Sequence, residues 1–249
     1  MSGYSYFAEF YDALTGNAEY ERRADYLMEL FERHGHKTGL TLDLACGTGS
    51  LTLELSRRGV DIFGADASSE MLSIAQQKFS EEGRETLFLC QKMQSLELYG
   101  SIDTCICTLD SINHLPSARA VTDAFRRIAR YLEDDGLFVF DCNTVYKHKH
   151  VLGDNCYIYD NERVFCAWQN NYFEKNNKVI ITLDFFEREG SHYLRSSEQL
   201  AEIAFSREDM LSMLDEAGLY AEAVYDELTF DPPKPDTQRE IYAVRKKKK

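Results

Sequence analysis

Short apolar runs alternate with amphipathic helical segments from Leu40 to Cys142, and this alternation constrains the fold more than any other feature of the sequence. The pattern predicts strands at residues 40–45, 60–66, 86–90, 102–109 and 136–142, with helices at 50–59, 68–79 and 117–132. Strands that are continuously apolar and separated by helices are typical of a parallel sheet with both faces covered. The sequence therefore predicts a doubly wound α/β domain, in which ligands bind beyond the carboxyl ends of the strands.

The pattern changes after Cys142. Residues 145–205 contain β-rich runs that break at Asn176-Asn177 and at Glu189-Gly190-Ser191, as antiparallel hairpins do. A helix, a strand and a final strand then follow at residues 206–217, 219–230 and 239–246. We therefore expect one α/β domain built from residues 1–144 and 206–249, with a small antiparallel β insertion at 145–205.

Composition narrows the class of protein. Acidic residues outnumber basic ones 42 to 28 in 249 residues, a net charge of −14. Proteins that grip nucleic acid usually present a basic surface, so this balance argues against RNA or DNA as a partner. The basic run Arg245–Lys249 is interpreted as a frayed end. No apolar run has the length of a membrane span, and the first residues lack the pattern of a secretory signal, so we expect a cytoplasmic protein without membrane contact.

Cysteine and histidine patterns give no support for a metal site. The 7 cysteines form no C-x-x-C pair, which argues against a disulfide framework and against structural zinc. Two histidine pairs, in "HGH" at 34–36 and in "HKH" at 148–150, lie in polar surroundings. We interpret both as solvated loops, and the sequence predicts no bound metal.

The turn between the first strand and its helix carries the first chemical signal. In "LDLACGTGSLTLEL", Gly47 and Gly49 let a ligand approach the backbone at a helix N-terminus, and Asp43 is an acid inside an apolar strand. The dinucleotide pattern G-x-G-x-x-G fails, because Thr52 stands where its third glycine is needed, and there is no G-K-[ST]. Asp66 ends the second strand, where an acid meets a ribose in nucleoside-binding sheets. The two acids suit a ligand with an amine at one end and a ribose at the other.

Four segments resemble those of one family. "LDLACGTG" with "GADASSEML" resembles motifs I and II of the class I S-adenosylmethionine-dependent methyltransferases, "CQKMQSLEL" their adenine-contacting segment, and "TLDSINHL" the motif after their fourth strand. The sequence is most similar to a bacterial, YqeM-type branch with an antiparallel insertion. The resemblance implies a Rossmann-like methyltransferase sheet with an antiparallel last strand, an N-terminal helical lid over residues 1–38, and a substrate lid in the insertion. It also implies S-adenosylmethionine as cofactor and S-adenosylhomocysteine as product.

The resemblance further implies a set of cofactor-binding residues. In it, Asp43 helps to place the methionine end, Asp66 takes the ribose hydroxyls, and Met71 flanks the adenine with Met93. Leu109, Asp110 and Asn113 line the floor near the sulfonium. The whole set is Tyr11, Asp43, Ala45, Gly47, Thr48, Gly49, Asp66, Ala67, Met71, Lys92, Met93, Leu109, Asp110 and Asn113. Two positions depart from the family: Ala45 replaces a glycine, and Lys92 stands where many relatives have an acid that accepts from the adenine amino group.

The expected reaction is methyl transfer to a nitrogen, oxygen or sulfur atom. Because the sulfonium already activates the methyl group, alignment and exclusion of water suffice for an amine or thiol, and a general base helps mainly a hydroxyl. Candidates for that base are Tyr11, Asp110, His114 and Arg195. The segment "DSINHL" differs from the D/N-P-P-Y/F tetrad of enzymes that methylate nucleic acid bases or protein glutamine. Together with the net negative charge, this difference favours a small-molecule acceptor.

Three alternatives stay open at this stage. The acceptor could be RNA or protein, the chain could bind the cofactor without catalysis, or it could be an NAD-dependent oxidoreductase, against which the missing third glycine counts. Aromatic residues of the insertion suit a flat or cationic acceptor through stacking or cation–π contact, and they equally suit a sheet core. We expect a monomer or a homodimer.

Overall fold

The computed structural model describes residues 18–160 and 164–248. Within these residues the helices are α1 (Tyr20–Arg33), α2 (Ser50–Arg57), α3 (Ser69–Glu81), α4 (Ala118–Tyr131) and α5 (Arg207–Glu216). The strands of the first half are β1 (Leu40–Leu44), β2 (Asp61–Asp66), β3 (Phe88–Cys90), β4 (Ile102–Cys107) and β5 (Leu132–Asn143). Those of the second half are β6 (Cys156–Asp160), β7 (Val164–Phe173), β8 (Lys178–Glu189), β9 (His192–Ile203), β10 (Leu219–Asp226) and β11 (Arg239–Lys246).

Seven strands form the main sheet, in the order β3-β2-β1-β4-β5-β11-β10. The first five are parallel, and β11 runs antiparallel to both β5 and β10. The strand order reverses between β1 and β4, and such a switch point opens a crevice at the carboxyl ends of the strands. The predicted doubly wound sheet with an antiparallel last strand is thus confirmed.

Local sequence signals set the helices on the two faces of this sheet. The Ser68 hydroxyl accepts from the N–H of Met71 at the start of α3, and the Ser117 hydroxyl accepts from Ala120 at the start of α4. Serine at such a position satisfies one of the free N–H groups of a first helical turn. On α4 the residues buried against the sheet recur at helical spacing: Val121, Ala124, Phe125 and Ile128. Capping and apolar periodicity therefore agree on where these helices begin and which side they bury.

A separate antiparallel sheet has the order β6-β7-β8-β9. Its hairpins turn at residues 174–177 and 190–191, as the sequence predicts. One face is apolar and packs on α3, so that Met71 belongs to the same buried cluster as Val164, Cys166 and Phe185. Alternation along each strand thus places one set of side chains toward the main domain and the other toward solvent. The assignment of residues 145–205 as an inserted lid stays a prediction.

The described part of the N-terminal region is mainly α1, which buries Leu27, Leu30 and Phe31 in a cluster with Val139 and Ile241 of the main sheet. Tyr11 and most of the predicted N-terminal lid lie outside the described residues. In the part of the chain that the structure describes, no helix has the length and apolarity needed to cross a membrane.

Candidate active site

The loop between β1 and α2 approaches the crevice with two glycines in the left-handed region. Gly47 has φ 54°, and a Cβ placed on it would meet nothing within 4 Å, so this residue borders open space. Gly49 has φ 72°, and a Cβ there would lie 2.8 Å from the Cβ of Ala75 on α3. The two glycines thus serve different ends. Gly49 permits helix packing, whereas Gly47 keeps the backbone bare where a ligand can approach.

Asp66, at the end of β2, ties the glycine loop to the neighbouring strand. Its carboxylate accepts from the N–H of Gly47 at 2.9 Å and from the N–H of Ser68 at 2.8 Å. Burial raises the pKa of Asp66, and the backbone N–H groups of Ser68 and Gly47 offset part of this rise. A carboxylate has about four lone-pair sites, so acceptor capacity remains for hydroxyl groups of a ligand.

Asp43 is buried in β1, with 2% exposure, and faces α2. Its carboxylate accepts from the Thr52 hydroxyl at 2.6 Å. Burial raises the pKa of Asp43 to about 7, although the Thr52 hydrogen bond acts in the opposite direction. The residue that breaks the dinucleotide pattern is therefore the partner of the buried acid.

The floor of the crevice is the turn after β4. Leu109 and Asp110 both have left-handed backbones, with φ 56° and 55°, a conformation that costs a residue with a side chain on the order of 1–3 kcal/mol. The carboxylate of Asp141, at the end of β5, holds this turn by accepting from the N–H of Leu109 at 2.9 Å and of Asp110 at 2.7 Å. Asp141 is itself 1% exposed and lies 2.6 Å from the guanidinium of Arg239.

Arg239 connects this floor to two further elements. Its guanidinium also lies 2.6 Å from Asp110 and 3.1 Å from Glu227, in the connection between β10 and β11. Glu227 in turn accepts from Arg23 of α1 at 2.5 Å. Burial lowers the pKa of Arg239, but the charges of Asp110, Asp141 and Glu227 outweigh it and hold that pKa well above its ordinary value. α1, β4, β5 and β11 thus meet in one buried ionic network.

A cavity of about 510 Å³ opens above this floor. The turn after β4 and the end of β5 form its base, α1 and the β10–β11 connection form one wall, and the inner face of the second sheet forms the other. The second sheet contributes Tyr157, Tyr159, Trp168, Ile181, Leu200 and Glu202. The three rings lie on one face, because Tyr157 pairs with Trp168 across β6 and β7 and Tyr159 is two residues along β6.

Glu202 is the acid that the second sheet brings to the cavity. It is 4% exposed, and its Oε2 accepts from Asn143 at 3.0 Å and lies 3.2 Å from Nε2 of His148. Nδ1 of His148 lies 2.9 Å from the carbonyl oxygen of Asn177, so both ring nitrogens face acceptor oxygens. Burial alone raises the pKa of Glu202, but the His148 hydrogen bond and the nearby His114 reverse the effect and hold it below its ordinary value.

Three chemically active side chains converge at the base of this cavity. One ligand atom from each of Asp110, His114 and Glu202 lies within 4.8 Å of the other two. Nε2 of His114 is 3.9 Å from Oε1 of Glu202, the oxygen on the side of the carboxylate away from His148. The group combines two residues of the main domain with one of the second sheet.

Most of the predicted cofactor residues gather at the carboxyl ends of β1, β2, β3 and β4, although their roles stay predictions. Ala67 and Lys92 are exposed there, Met93 is half-buried, and Ala45 turns the chain with φ 61°. Thr48 is buried, and its hydroxyl accepts from Lys78 of α3. Tyr11 lies outside the described residues.

Three predicted residues have surroundings that differ from expectation. Met71 is buried against the second sheet. The side-chain amide of Asn113 bonds the carbonyls of Asn143 and Ile203 and the N–H of Asn143, so it clamps β5 to β9. Arg195 was expected near the reaction, which is wrong, because it lies on the outer face of β9, where it pairs with Asp184 at 2.9 Å.

The interpretation of the two histidine pairs as solvated loops is also wrong for His34, His36 and His148, whereas His150 is exposed. His148 has no exposed surface. The side chain of His34 is 8% exposed and lies beside Glu222 and Tyr225. His36 lies 2.7 Å from the Thr104 hydroxyl, and burial lowers its pKa to about 4.

Sequence reasoning missed several residues of the site. Asp141 carried a usable signal, since it ends an apolar strand as Asp66 does. Arg239, Glu202 and Lys147 carried none, because they reach the cavity only through the tertiary fold. Lys147 donates to the side chain of Asn143 at 2.8 Å, and burial lowers its pKa.

Comparison with known proteins identifies the family. A methyltransferase domain model matches residues 41–136. The YqeM protein of Bacillus subtilis (strain 168), whose name is a provisional methyltransferase assignment, is 30% identical over 246 residues, 98% of each chain. The crystal structure of an S-adenosylmethionine-dependent methyltransferase from Clostridium acetobutylicum ATCC 824 superposes with a TM-score of 0.89 at 31% identity, covering 98% of this chain and 99% of that one.

A third relative is more distant. The dTDP-3-amino-3,6-dideoxy-alpha-D-glucopyranose N,N-dimethyltransferase of Streptomyces fradiae is 29% identical over 136 residues, 54% of this chain and 52% of that one. The full-length matches, the sheet order and the bare glycine loop beside Asp66 agree with one another. The chain belongs to the class I S-adenosylmethionine-dependent methyltransferases, and it is an enzyme whose cofactor is S-adenosylmethionine.

Proposed function

We propose that the enzyme transfers a methyl group to a nitrogen, oxygen or sulfur atom of a small molecule bound in the cavity above Asp110. The observation that carries this proposal is the cavity itself. Its volume of about 510 Å³ lies in the range of small-molecule sites, about 300–1,000 Å³, and it is walled by the second sheet and α1.

The residues at the strand ends suit the cofactor. Asp66 would hold the ribose hydroxyls, Gly47 would pass close beneath the methionine part, and Met93 would lie against the adenine. Asp43 would support the methionine end through the backbone of β1, because its carboxylate is directed at Thr52. When bound, S-adenosylmethionine supplies an electrophilic methyl group on a positively charged sulfur.

The chain's own residues then orient the acceptor. The rigid turn at Leu109 and Asp110 fixes the floor, and the rings of the second sheet would shield the bound acceptor from water on that side. His114 is the residue best placed to take a proton, since its Nε2 lies beside the Glu202 carboxylate. Tyr11 and the N-terminal segment would complete the lid. The relative from Streptomyces fradiae, named as acting on a nucleotide-linked amino sugar, is an example of small-molecule methylation.

The first test is cofactor binding by isothermal titration with S-adenosylmethionine, S-adenosylhomocysteine and NAD. We expect binding of the first two and none of NAD, with at least tenfold weaker binding in Asp66→Ala, because a charge-assisted interaction of about 1.5–3 kcal/mol is lost. Asp61→Ala, an exposed acid at the start of β2, is the matched control and should bind as wild type does. Unchanged affinity in Asp66→Ala would contradict the assignment of this site.

The second test concerns the acceptor. Isotope-labelled S-adenosylmethionine is offered with a cell extract separated into small molecules, RNA and protein. Label in the small-molecule fraction supports the proposal, and label confined to RNA or protein would overturn it. A cytoplasmic location and a monomeric or homodimeric state stay predictions.

A further inference from the structure

We infer that the methyl acceptor is an amine and that Asp110, His114 and Glu202 hold its nitrogen. This inference rests on the proposed function and narrows it from three nucleophiles to one. It also assigns a specificity-determining residue, Glu202, which comes from the second sheet and not from the cofactor-binding domain.

The spacing of the three groups matches a nitrogen atom. Any triangle with sides of at most 4.8 Å contains a point within about 2.8 Å of every corner, which is a normal hydrogen-bond length. One such point therefore contacts a carboxylate oxygen of Asp110, an oxygen of Glu202 and a ring nitrogen of His114. The 3.9 Å between His114 and Glu202 is too long for a direct hydrogen bond and leaves the two free to share a donor between them.

The number of donors distinguishes an amine from the other nucleophiles. A primary ammonium has three N–H bonds, whereas a hydroxyl or thiol has one hydrogen. If the ammonium gives one proton to Nε2 of His114, two N–H bonds remain, one for each carboxylate, and the nitrogen regains the lone pair that attacks a methyl group. A hydroxyl that gives up its proton leaves both carboxylates without a donor and places an oxyanion beside them.

The state of the two carboxylates supports this arrangement. Although burial acts in the opposite direction, the hydrogen bonds from His148 and Asn143 help to lower the pKa of Glu202, which favours its ionised form. Both bonds reach the same oxygen, so the side chain cannot swing away. Asp110 is fixed by the strained turn and by Arg239 at 2.6 Å. Both carboxylates are thus rigid acceptors before any ligand arrives, which reduces the entropy lost on binding.

A divalent metal is the competing occupant of the same three ligands. The guanidinium of Arg239, in contact with Asp110, places a positive charge next to the group. This charge repels a divalent ion more strongly than a singly charged ammonium. The adjoining cavity also provides room and three aromatic rings for the rest of an organic molecule, which a metal site does not need, and such rings attract ammonium groups.

The experiment measures binding, without turnover, of three probes with one ring in common: benzylamine, benzyl alcohol and benzyl mercaptan. Each is titrated into the full-length protein saturated with S-adenosylhomocysteine. We expect benzylamine to bind at least tenfold more tightly than the other two. Glu202→Gln should abolish this preference and leave the affinity for benzyl alcohol within about twofold, since the loss of one charge-assisted hydrogen bond is worth roughly tenfold or more.

Two further variants keep the result interpretable. Glu189→Gln removes the same charge from an exposed position at the end of β8 and should behave as wild type. His114→Ala, at a half-exposed residue, tests the same site if Glu202→Gln fails to fold, and it should weaken benzylamine binding severalfold. Titration with Mn²⁺ and Zn²⁺ completes the set, with no stoichiometric binding expected at these residues.

Several outcomes would overturn the inference. Equal affinity for the three probes, absence of binding by benzylamine, retention of the preference in both site variants, or stoichiometric metal binding lost in Glu202→Gln would each do so. None of these results tests the proposed function itself. That proposal fails if S-adenosylmethionine does not bind or if label appears solely in RNA or protein, and it survives if a hydroxyl or thiol compound is the acceptor.

Discussion

At the scale of single residues, Thr52 shows how one change in the dinucleotide-binding pattern allows an acid, Asp43, to be buried in β1. In the dinucleotide pattern a glycine at position 52 allows close helix packing. Here Thr52 instead donates to Asp43, so the first strand carries an acid that the helix behind it satisfies. This pairing accounts for a carboxylate with 2% exposure in the middle of an apolar sheet.

Asp43 also gives a prediction for stability against pH. Its pKa in the folded protein, about 7, lies above the ordinary value of 3.8, so folding favours the protonated form. The stability it contributes is therefore fully present below about pH 4 and is lost as the pH rises through about 7. We expect the free energy of unfolding of wild type to fall across this range relative to Asp43→Asn, whose amide does not ionise, as measured by urea denaturation at several pH values.

The control for this prediction is Asp61→Asn, at an exposed position on the neighbouring strand. It should keep the wild-type dependence on pH, since it leaves Asp43 and Thr52 in place. Parallel curves for wild type and Asp43→Asn between pH 4 and 8 would show that Asp43 does not titrate as described.

At the scale of elements, the ends of β4, β5 and β11 are fixed to one another by charge. Asp141 accepts two N–H groups from the turn after β4 and faces Arg239 of β11. The left-handed pair Leu109-Asp110 is held in place by these bonds, and the floor of the proposed acceptor cavity depends on it. The register between neighbouring strands thus determines which side chains meet at the floor of the site.

Removal of Asp141 should therefore destabilise the protein strongly. Asp141→Ala leaves Arg239 short of a buried partner and frees two N–H groups, and a broken buried ion pair typically costs about 3–5 kcal/mol. Asp134→Ala breaks an exposed pair with Lys246 at 3.2 Å, in which Asp134 is 95% exposed, and should cost less than about 1 kcal/mol. Urea denaturation of both variants measures the difference, and similar losses of stability would refute a structural role for the Asp141 network.

These elements also show how far the sequence could predict the fold and the site. Apolar runs and caps act locally, so the strand from Ile102 and the Ser68 cap were predictable to within about two residues. The surroundings of His148 were not, because its partners Asn177 and Glu202 lie 29 and 54 positions away. The residues next to His148 in sequence are polar, but they do not determine whether its side chain is buried in the folded protein. A still longer distance along the chain, 59 positions, separates Glu202 from Asn143.

At the scale of the whole molecule, two sheets are fastened together around one cavity. Asn113 bonds the backbone at the ends of β5 and β9, Glu202 reaches from β9 to Asn143, and Met71 fills the contact between α3 and the second sheet. The second sheet is therefore held firmly against the main domain on the described surfaces. Among the described residues, access to the cavity then depends on α1 and the β10–β11 connection.

Net charge gives the last prediction, which concerns RNA as a substrate. The chain carries −14, and the basic run at the C-terminus is largely engaged: Arg245 bonds Glu222, Lys246 pairs with Asp134, and Lys247 pairs with Asp215. The interpretation of that run as a frayed end is thus wrong for these three residues, which are fixed at the C-terminal end of β11, between β5 and β10, and they are poorly placed to neutralise phosphates.

We therefore expect no binding of a fluorescent single-stranded RNA, measured by polarisation at about 50 mM salt and up to about 10 µM protein, where nonspecific binders already associate. A basic RNA-binding domain serves as the positive control. Binding that weakens steeply with added salt would reveal a local basic patch that the overall charge conceals. Such binding would also indicate that the acceptor is bound at the protein surface and not in the cavity, because counterion release of that kind requires several lysine or arginine contacts with phosphate.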